Sequence, residues 1–159
     1  MNDITSYMLE QTKKILSIDS PTGFTAHAAE YVLGAYKKLG YDAKLTNKGG
    51  IFVCVNDGPD QADDPADAPI LLEAHMDTLG GMVCSINEKG RLMLSALGGM
   101  NPNNAEAENC KVYTKSGKVY DATFQLENAS VHVNGEYSDT KRTYETMEAI
   151  LDEPVKNKE

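Results

Sequence analysis

A chain of 159 residues is long enough for one ordinary domain or two small ones, and it can bury a core without disulfide staples. Its 15 Lys and Arg stand against 24 Asp and Glu, a formal charge of −9. That balance argues against a basic nucleic-acid-binding face and against docking on anionic membranes. The three cysteines, Cys54, Cys84 and Cys110, contain no CxxC pair, so neither a disulfide frame nor a thiolate zinc site is expected. Buried, inert thiols in a reducing compartment are expected instead. The first 14 residues carry acidic and polar groups where a signal peptide needs an apolar run, and no stretch is long enough to span a bilayer. The expected location is cytoplasmic.

Two textures meet near residue 80. The first alternates helix and strand. Ile4, Met8, Ile15 and Leu16 keep a loose helical stripe over residues 3–18, broken by Asp19-Ser20-Pro21-Thr22-Gly23, since proline and glycine together favour a turn. A second helix is marked by Ala29, Val32, Leu33, Tyr36 and Leu39 at i, i+3, i+4 spacing, with Thr25 as N-cap and Gly40 as the stop. Strands are expected over residues 42–46, 51–55 and 70–74. The last two are nearly continuous apolar runs, the pattern of strands covered on both faces. Between them, residues 57–69 hold five aspartates and three prolines. A calcium loop lacks the required ligand spacing there, and a solvated surface loop is expected.

After Gly80-Gly81 short strands and turns take over. Met82, Cys84 and Ile86 alternate with Val83, Ser85 and Asn87; Glu88-Lys89-Gly90 turns, and Leu92, Leu94 and Ala96 return. Gly98-Gly99 and Asn101-Pro102-Asn103-Asn104 break the pattern. A second hairpin runs over residues 110–114, turns at Lys115-Ser116-Gly117 and returns over residues 118–126. Residues 130–134 are expected to form another strand. Residues 144–151 are ambiguous: Tyr144, Met147 and Leu151 suit a helix, while their place in a β-rich zone suits a strand.

The stretch with most chemistry is Ile70-Leu71-Leu72-Glu73-Ala74-His75-Met76-Asp77-Thr78-Leu79-Gly80, in which an apolar run leads directly into His75 and Asp77. In open α/β sheets functional groups collect beyond the carboxyl ends of strands. A spacing of two puts both side chains on one side of extended backbone. A neutral imidazole there can bind zinc or cobalt through one nitrogen while the carboxylate orients the ring. Taken alone, His-x-Asp fits a hydrogen-bonded structural histidine as well as a metal ligand.

With its flanks, residues 70–83 closely resemble the first metal-site motif of the glutamyl and leucyl aminopeptidases that form tetrahedral assemblies, some of whose relatives carry the name endoglucanase. Further segments follow in the order of that family: Ser20-Pro21-Thr22-Gly23, residues 87–92 with Leu97-Gly98-Gly99, residues 112–120, Ser130-Val131-His132-Val133 and residues 147–153. Asp121 departs from the pattern, which tends to glycine. The resemblance implies an α/β fold: residues 1–80 as the start of a zinc-peptidase-like α/β sandwich, a partial catalytic domain, and residues 81–159 as a β-rich, barrel-like insertion used for dimerisation. It also implies two divalent ions, zinc or cobalt, with His75 as a metal ligand and Asp77 as its catalytic companion.

The same resemblance implies further ligands: a bridging aspartate, an adjacent glutamate pair, another acidic ligand and a distal histidine. All lie past the inserted β domain, and this sequence has no match to them. Asp152-Glu153 reads as a solvated strand end and His132 as a structural or interface histidine, because neither has partners at ligand spacing. His27 opens the second helix and is expected to face solvent. The expected function is that of a metal-dependent aminopeptidase chain acting on peptides, truncated and inactive alone, within a homo-oligomer. The alternative is a non-catalytic assembly module. No nucleic-acid or membrane partner is expected.

Overall fold

The structure, a computed structural model, describes residues 3–55, 70–155 and 157. The chain divides into two compact units, Met1–Thr78 and Leu79–Glu159.

The first unit opens with helices α1 (Asp3–Leu16) and α2 (Ala26–Lys38), followed by strands β1 (Ala43–Leu45) and β2 (Ile51–Val53). The helical stripe predicted for α2 is present, with Ala28 and Ala29 fully covered. Thr25 stands at the N-cap but makes no side-chain cap bond. The stop at Gly40 is a Schellman turn. Gly40 takes φ +90°, its N–H donates to the Lys37 carbonyl at 3.0 Å, and the Tyr41 N–H donates to the Tyr36 carbonyl at 3.2 Å. Helix α1 buries no residue; the Tyr31 hydroxyl ties it to α2 by donating to Gln11 Oε1 at 2.6 Å.

Strands β1 and β2 pair antiparallel, with Lys44 opposite Phe52 and Ala43 opposite Val53. Side chains alternate across a strand, so Lys44 and Phe52 share one face, and Ala43, Ile51 and Val53 share the other. The second face is the more covered, and α2 packs on this pair of strands. The core this produces is thin. Among the described residues of the unit, the buried side chains are Ala28, Ala29, Ala43 and Ser20.

The strand predicted over residues 70–74 does not form. The segment has no regular structure, and Ile70, Leu71 and Leu72 are exposed, Leu72 at 90%. A strand needs a hydrogen-bonded neighbour, and an apolar run of this kind needs cover on both faces. Among the described residues no strand supplies either. The predicted acidic loop, residues 57–69, lies outside the described residues.

The second unit is a five-stranded antiparallel sheet, curled into a half-barrel, with strand order β3-β4-β7-β6-β5. Its strands are β3 (Gly80–Ile86), β4 (Leu92–Leu97), β5 (Glu108–Tyr113), β6 (Val119–Leu126) and β7 (Met147–Leu151). Both predicted hairpins are there. The first turn is knit by Asn87, whose Oδ1 accepts from the backbone N–H groups of Lys89 and Arg91, each at 3.0 Å. The simple alternation predicted for β3 is interrupted by a bulge between Val83 and Ser85. Val83 and Ile86 therefore lie opposite Leu94 and Leu92, while Met82 lies opposite Ser95 on the other face.

Asn101 begins a short helix, α3 (Pro102–Ala105), rather than a plain break. Its side chain accepts from the Asn103 N–H, and proline fits the first helical turn. The strand predicted over residues 130–134 is a turn, closed by bonds from the Val133 and Asn134 N–H groups to the Ser130 carbonyl at 3.1 and 2.8 Å. Residues 144–151 resolve as a turn followed by strand β7. That strand lies between β4 and β6, with Leu126 opposite Met147 and Phe124 opposite Ala149. Leu92, Phe124, Leu126, Met147 and Ala149 form the core.

The expectation of buried thiols is corrected. Cys54 and Cys84 are exposed, Cys110 is half-buried, and no two of them form a disulfide. Cys84 sits at the bulge of an edge strand, where one side of the ladder faces solvent.

Candidate functional site

His75 and Asp77 lie in the first unit, on the segment without regular secondary structure that leads to Thr78. Ser20-Pro21-Thr22-Gly23 clamps this segment. Phe24 donates its N–H to the Pro21 carbonyl at 2.7 Å, and Gly23 takes φ +87°. Positive φ at the third position of a tight turn is what favours glycine there. The turn presents three groups to the opposite segment. The buried Ser20 hydroxyl donates to the Met76 carbonyl at 2.9 Å. The Thr78 N–H donates to the Ser20 carbonyl at 2.8 Å, making an isolated parallel bridge between Pro21 and Thr78. The Thr22 hydroxyl donates to Asp77 Oδ2 at 2.7 Å.

That last bond dominates the state of Asp77. The donated hydroxyl lowers its pKa from the ordinary value, partly offset by partial burial and helped by its own backbone N–H and by His75. Asp77 is therefore a carboxylate at neutral pH. His75 Nδ1 lies 2.9 Å from the Asp77 carbonyl oxygen and 3.3 Å from Asp77 Oδ1. A carbonyl only accepts, so Nδ1 carries the proton in this bond. In the neutral ring, Nε2 then holds the free lone pair. Among the described residues Nε2 has no hydrogen-bonding partner, and the side chain is 85% exposed.

The structure thus brings together the two predicted site residues, and it adds Ser20 and Thr22, which in the sequence mark only a turn. Two hydroxyl residues flanking a proline, in the same family-like segment, were the available signal. The other histidines do not join this group through any bond. His27 is exposed at the start of α2, with its ring edge-on to Phe24 at 5.8 Å. His132 is exposed in its turn, and Asp152 and Glu153 are exposed past the end of β7.

Among the described residues no three His, Cys, Asp or Glu side chains come together to hold a metal. The donor set fits one ligand position, an outward imidazole nitrogen backed by a carboxylate. It falls short of the three protein ligands that a catalytic zinc site uses.

An α/β unit followed by a curled β unit is a fold shared with solved peptidases. The TET1 peptidase of Pyrococcus horikoshii, which can assemble into a tetrahedron or a large octahedral shell, is 22% identical with a TM-score of 0.71, over 95% of this chain and 42% of its own. The model of the M42 glutamyl aminopeptidase family matches residues 50–159, and the chain belongs to that family. Aminopeptidase YhfE of Bacillus subtilis (strain 168) is 37% identical over 147 residues, covering 92% of this chain and 41% of the relative. The glutamyl aminopeptidase of Lactococcus lactis subsp. cremoris (strain MG1363) is 31% identical over 112 residues, covering 70% and 30%. The chain therefore spans less than half the length of the relatives it matches. Among the described residues, no helix is long and apolar enough to cross a membrane.

Proposed function

We propose that this chain carries the first part of a metal-dependent aminopeptidase site, in which His75 supplies one ligand through Nε2 and Asp77 holds the ring in that tautomer. The observation behind this is the relay Thr22–Asp77–His75: a hydroxyl fixes the carboxylate, and Asp77 fixes the imidazole with its lone pair outward. Metal-bound histidines characteristically donate their second nitrogen in this way, which sets the tautomer and raises ligand basicity. A bound divalent ion would supply Lewis acidity and an activated water for hydrolysis at a peptide's N-terminal residue. With one imidazole and one carboxylate, the described residues provide orientation and a single ligand, and no hydrolytic step follows from them alone.

In this reading residues 1–80 belong to the catalytic domain, and residues 81–159 form an insertion used in self-association, in keeping with the assemblies of the P. horikoshii peptidase. Peptides are the substrate class and the cytoplasm the location. The test is titration of the purified chain with Zn²⁺ or Co²⁺, followed by ¹⁵N NMR of the imidazole. Weak binding that shifts Nε2 of His75, spares Nδ1 and disappears in His75→Ala is expected, together with negligible hydrolysis of an aminoacyl anilide. Perturbation of Nδ1 instead, or binding unchanged in His75→Ala, would remove His75 from the site.

A further inference from the structure

Among the described residues of the first unit, Ser20 is the only buried polar side chain, at 1% exposure. It meets the site segment twice. Its hydroxyl donates to the Met76 carbonyl at 2.9 Å, and its carbonyl accepts from the Thr78 N–H at 2.8 Å. The first bond holds the peptide group that precedes Asp77, and the second holds the peptide group that follows it. One residue therefore pins the backbone on both sides of Asp77. Residues 71–77 have no regular structure, so no strand ladder does this for them. A covered hydroxyl carries a desolvation cost that alanine, of nearly the same size, would avoid. The bond to Met76 is what offsets that cost.

The hold on the backbone reaches the imidazole. The peptide between Asp77 and Thr78 is planar and trans, so its N–H and C=O point in opposite directions. Directing the N–H at Ser20 aims the Asp77 carbonyl away from Ser20. That carbonyl is the nearer of the two acceptors at His75 Nδ1, at 2.9 Å against 3.3 Å for Asp77 Oδ1. The Thr22 hydroxyl acts on the carboxylate, through Oδ2. The ring thus has two separate holds, a main-chain one from Ser20 and a carboxylate one from Thr22.

We propose that Ser20 is the positioning residue of the imidazole. By holding both peptide groups of Asp77 it directs the Asp77 carbonyl at Nδ1 of His75, which keeps the Nε2 lone pair outward. The use of that lone pair for a metal rests on the ligand reading above; the hold itself belongs to the metal-free chain.

The experiment measures the tautomer of His75 by ¹⁵N NMR of the metal-free chain, at a pH well above the usual imidazole range. Ser20→Ala should lower the ratio of the Nδ1–H to the Nε2–H form by about three- to tenfold, the worth of one hydrogen bond. Amide exchange at Thr78 should quicken by a similar factor. Thr22→Val, which leaves the main-chain route intact, should change the ratio less than Ser20→Ala does. Ser20→Cys keeps the shape and weakens the donor, so an intermediate change is expected; it also serves if Ser20→Ala does not fold.

Ala29→Gly is the control for general loosening. It weakens α2 at a buried position of the same unit without touching the site, and the ratio should stay at the wild-type value. An unchanged ratio in a folded Ser20 variant, an equal change in Ala29→Gly, or a larger change in Thr22→Val would each overturn the proposal. Zn²⁺ binding is read separately. A wild-type chain whose Nε2 ignores Zn²⁺ while the ratio still depends on Ser20 counts against the ligand reading and leaves the positioning role standing.

Discussion

Replacing Phe124 by alanine should remove a large share of the stability of the second unit, whereas replacing Leu72 by alanine should change the first unit hardly at all. Phe124 is only 3% exposed and packs among Leu92, Leu126, Met147 and Ala149, with its ring 6.2 Å from that of Tyr144. Truncating a buried phenylalanine to alanine costs about 3–5 kcal/mol, from lost transfer energy and the cavity left behind. A unit spanning Leu79–Glu159 has a total stability of roughly 4–12 kcal/mol at the usual 0.05–0.15 kcal/mol per residue, so the loss is a large share of the whole. Leu72 is 90% exposed, and its truncation should stay within about 0.5 kcal/mol. Hydrogen exchange read by mass spectrometry reports the two units separately, and urea unfolding followed by circular dichroism supplies the free energies. A loss below about 1 kcal/mol for Phe124→Ala, or above that for Leu72→Ala, would refute this division between a filled core and an uncovered one.

Three further outcomes follow from particular contacts. Thr22→Val should raise the Asp77 pKa toward its ordinary value, because the hydroxyl that stabilises the carboxylate is gone; carboxyl ¹³C titration measures this, and an unchanged midpoint would exclude the relay. Because the folded Asp77 pKa is lowered, its contribution to stability is present above the unfolded pKa and is lost as pH falls through the folded value. Glu106 behaves in the same sense, its pKa lowered first by hydrogen bonds from Arg142, whose Nε lies 2.8 Å from Oε2. Glu148 has the opposite sign. Burial raises its pKa against the pull of the Asn87 side-chain bond and the Arg91 charge. Its contribution is full below the unfolded pKa and is lost as pH rises through the folded value. Unfolding measured from pH 2 to 8 should therefore show Glu148→Gln flattening a decline as pH rises above the usual carboxylate range, and Glu106→Gln flattening a gain below it. Gly90→Ala should destabilise the first hairpin by about 1–3 kcal/mol, read from thermal unfolding. Gly90 takes φ +74°, and an added Cβ would lie 2.3 Å from Val155 Cγ1 and 2.7 Å from the Asn157 carbonyl oxygen.

The amino-acid order determined every feature that local chemistry suffices to set. The spacing of Ala29, Val32, Leu33 and Tyr36 makes α2, Gly40 ends it by adopting a left-handed conformation, and the turn residues around Gly90 and Gly117 place both hairpins. His75 and Asp77 were legible as a pair, since a two-residue offset on extended backbone puts them on one side. Features that depend on a distant partner were decided only by the tertiary arrangement. Residues 70–74 read as a strand, yet a strand exists only beside another, and among the described residues none lies there. Residues 144–151 suit a helix by the spacing of Tyr144, Met147 and Leu151 and a strand by their β-rich surroundings, and five ladder pairs with β6 made 147–151 a strand. Thr22 became part of the site because folding brings it 2.7 Å from a carboxylate 55 positions further along the chain. Local bonds are fixed by neighbours in sequence; strand pairing, burial and the state of a carboxylate are fixed by whatever the folded chain places next to them.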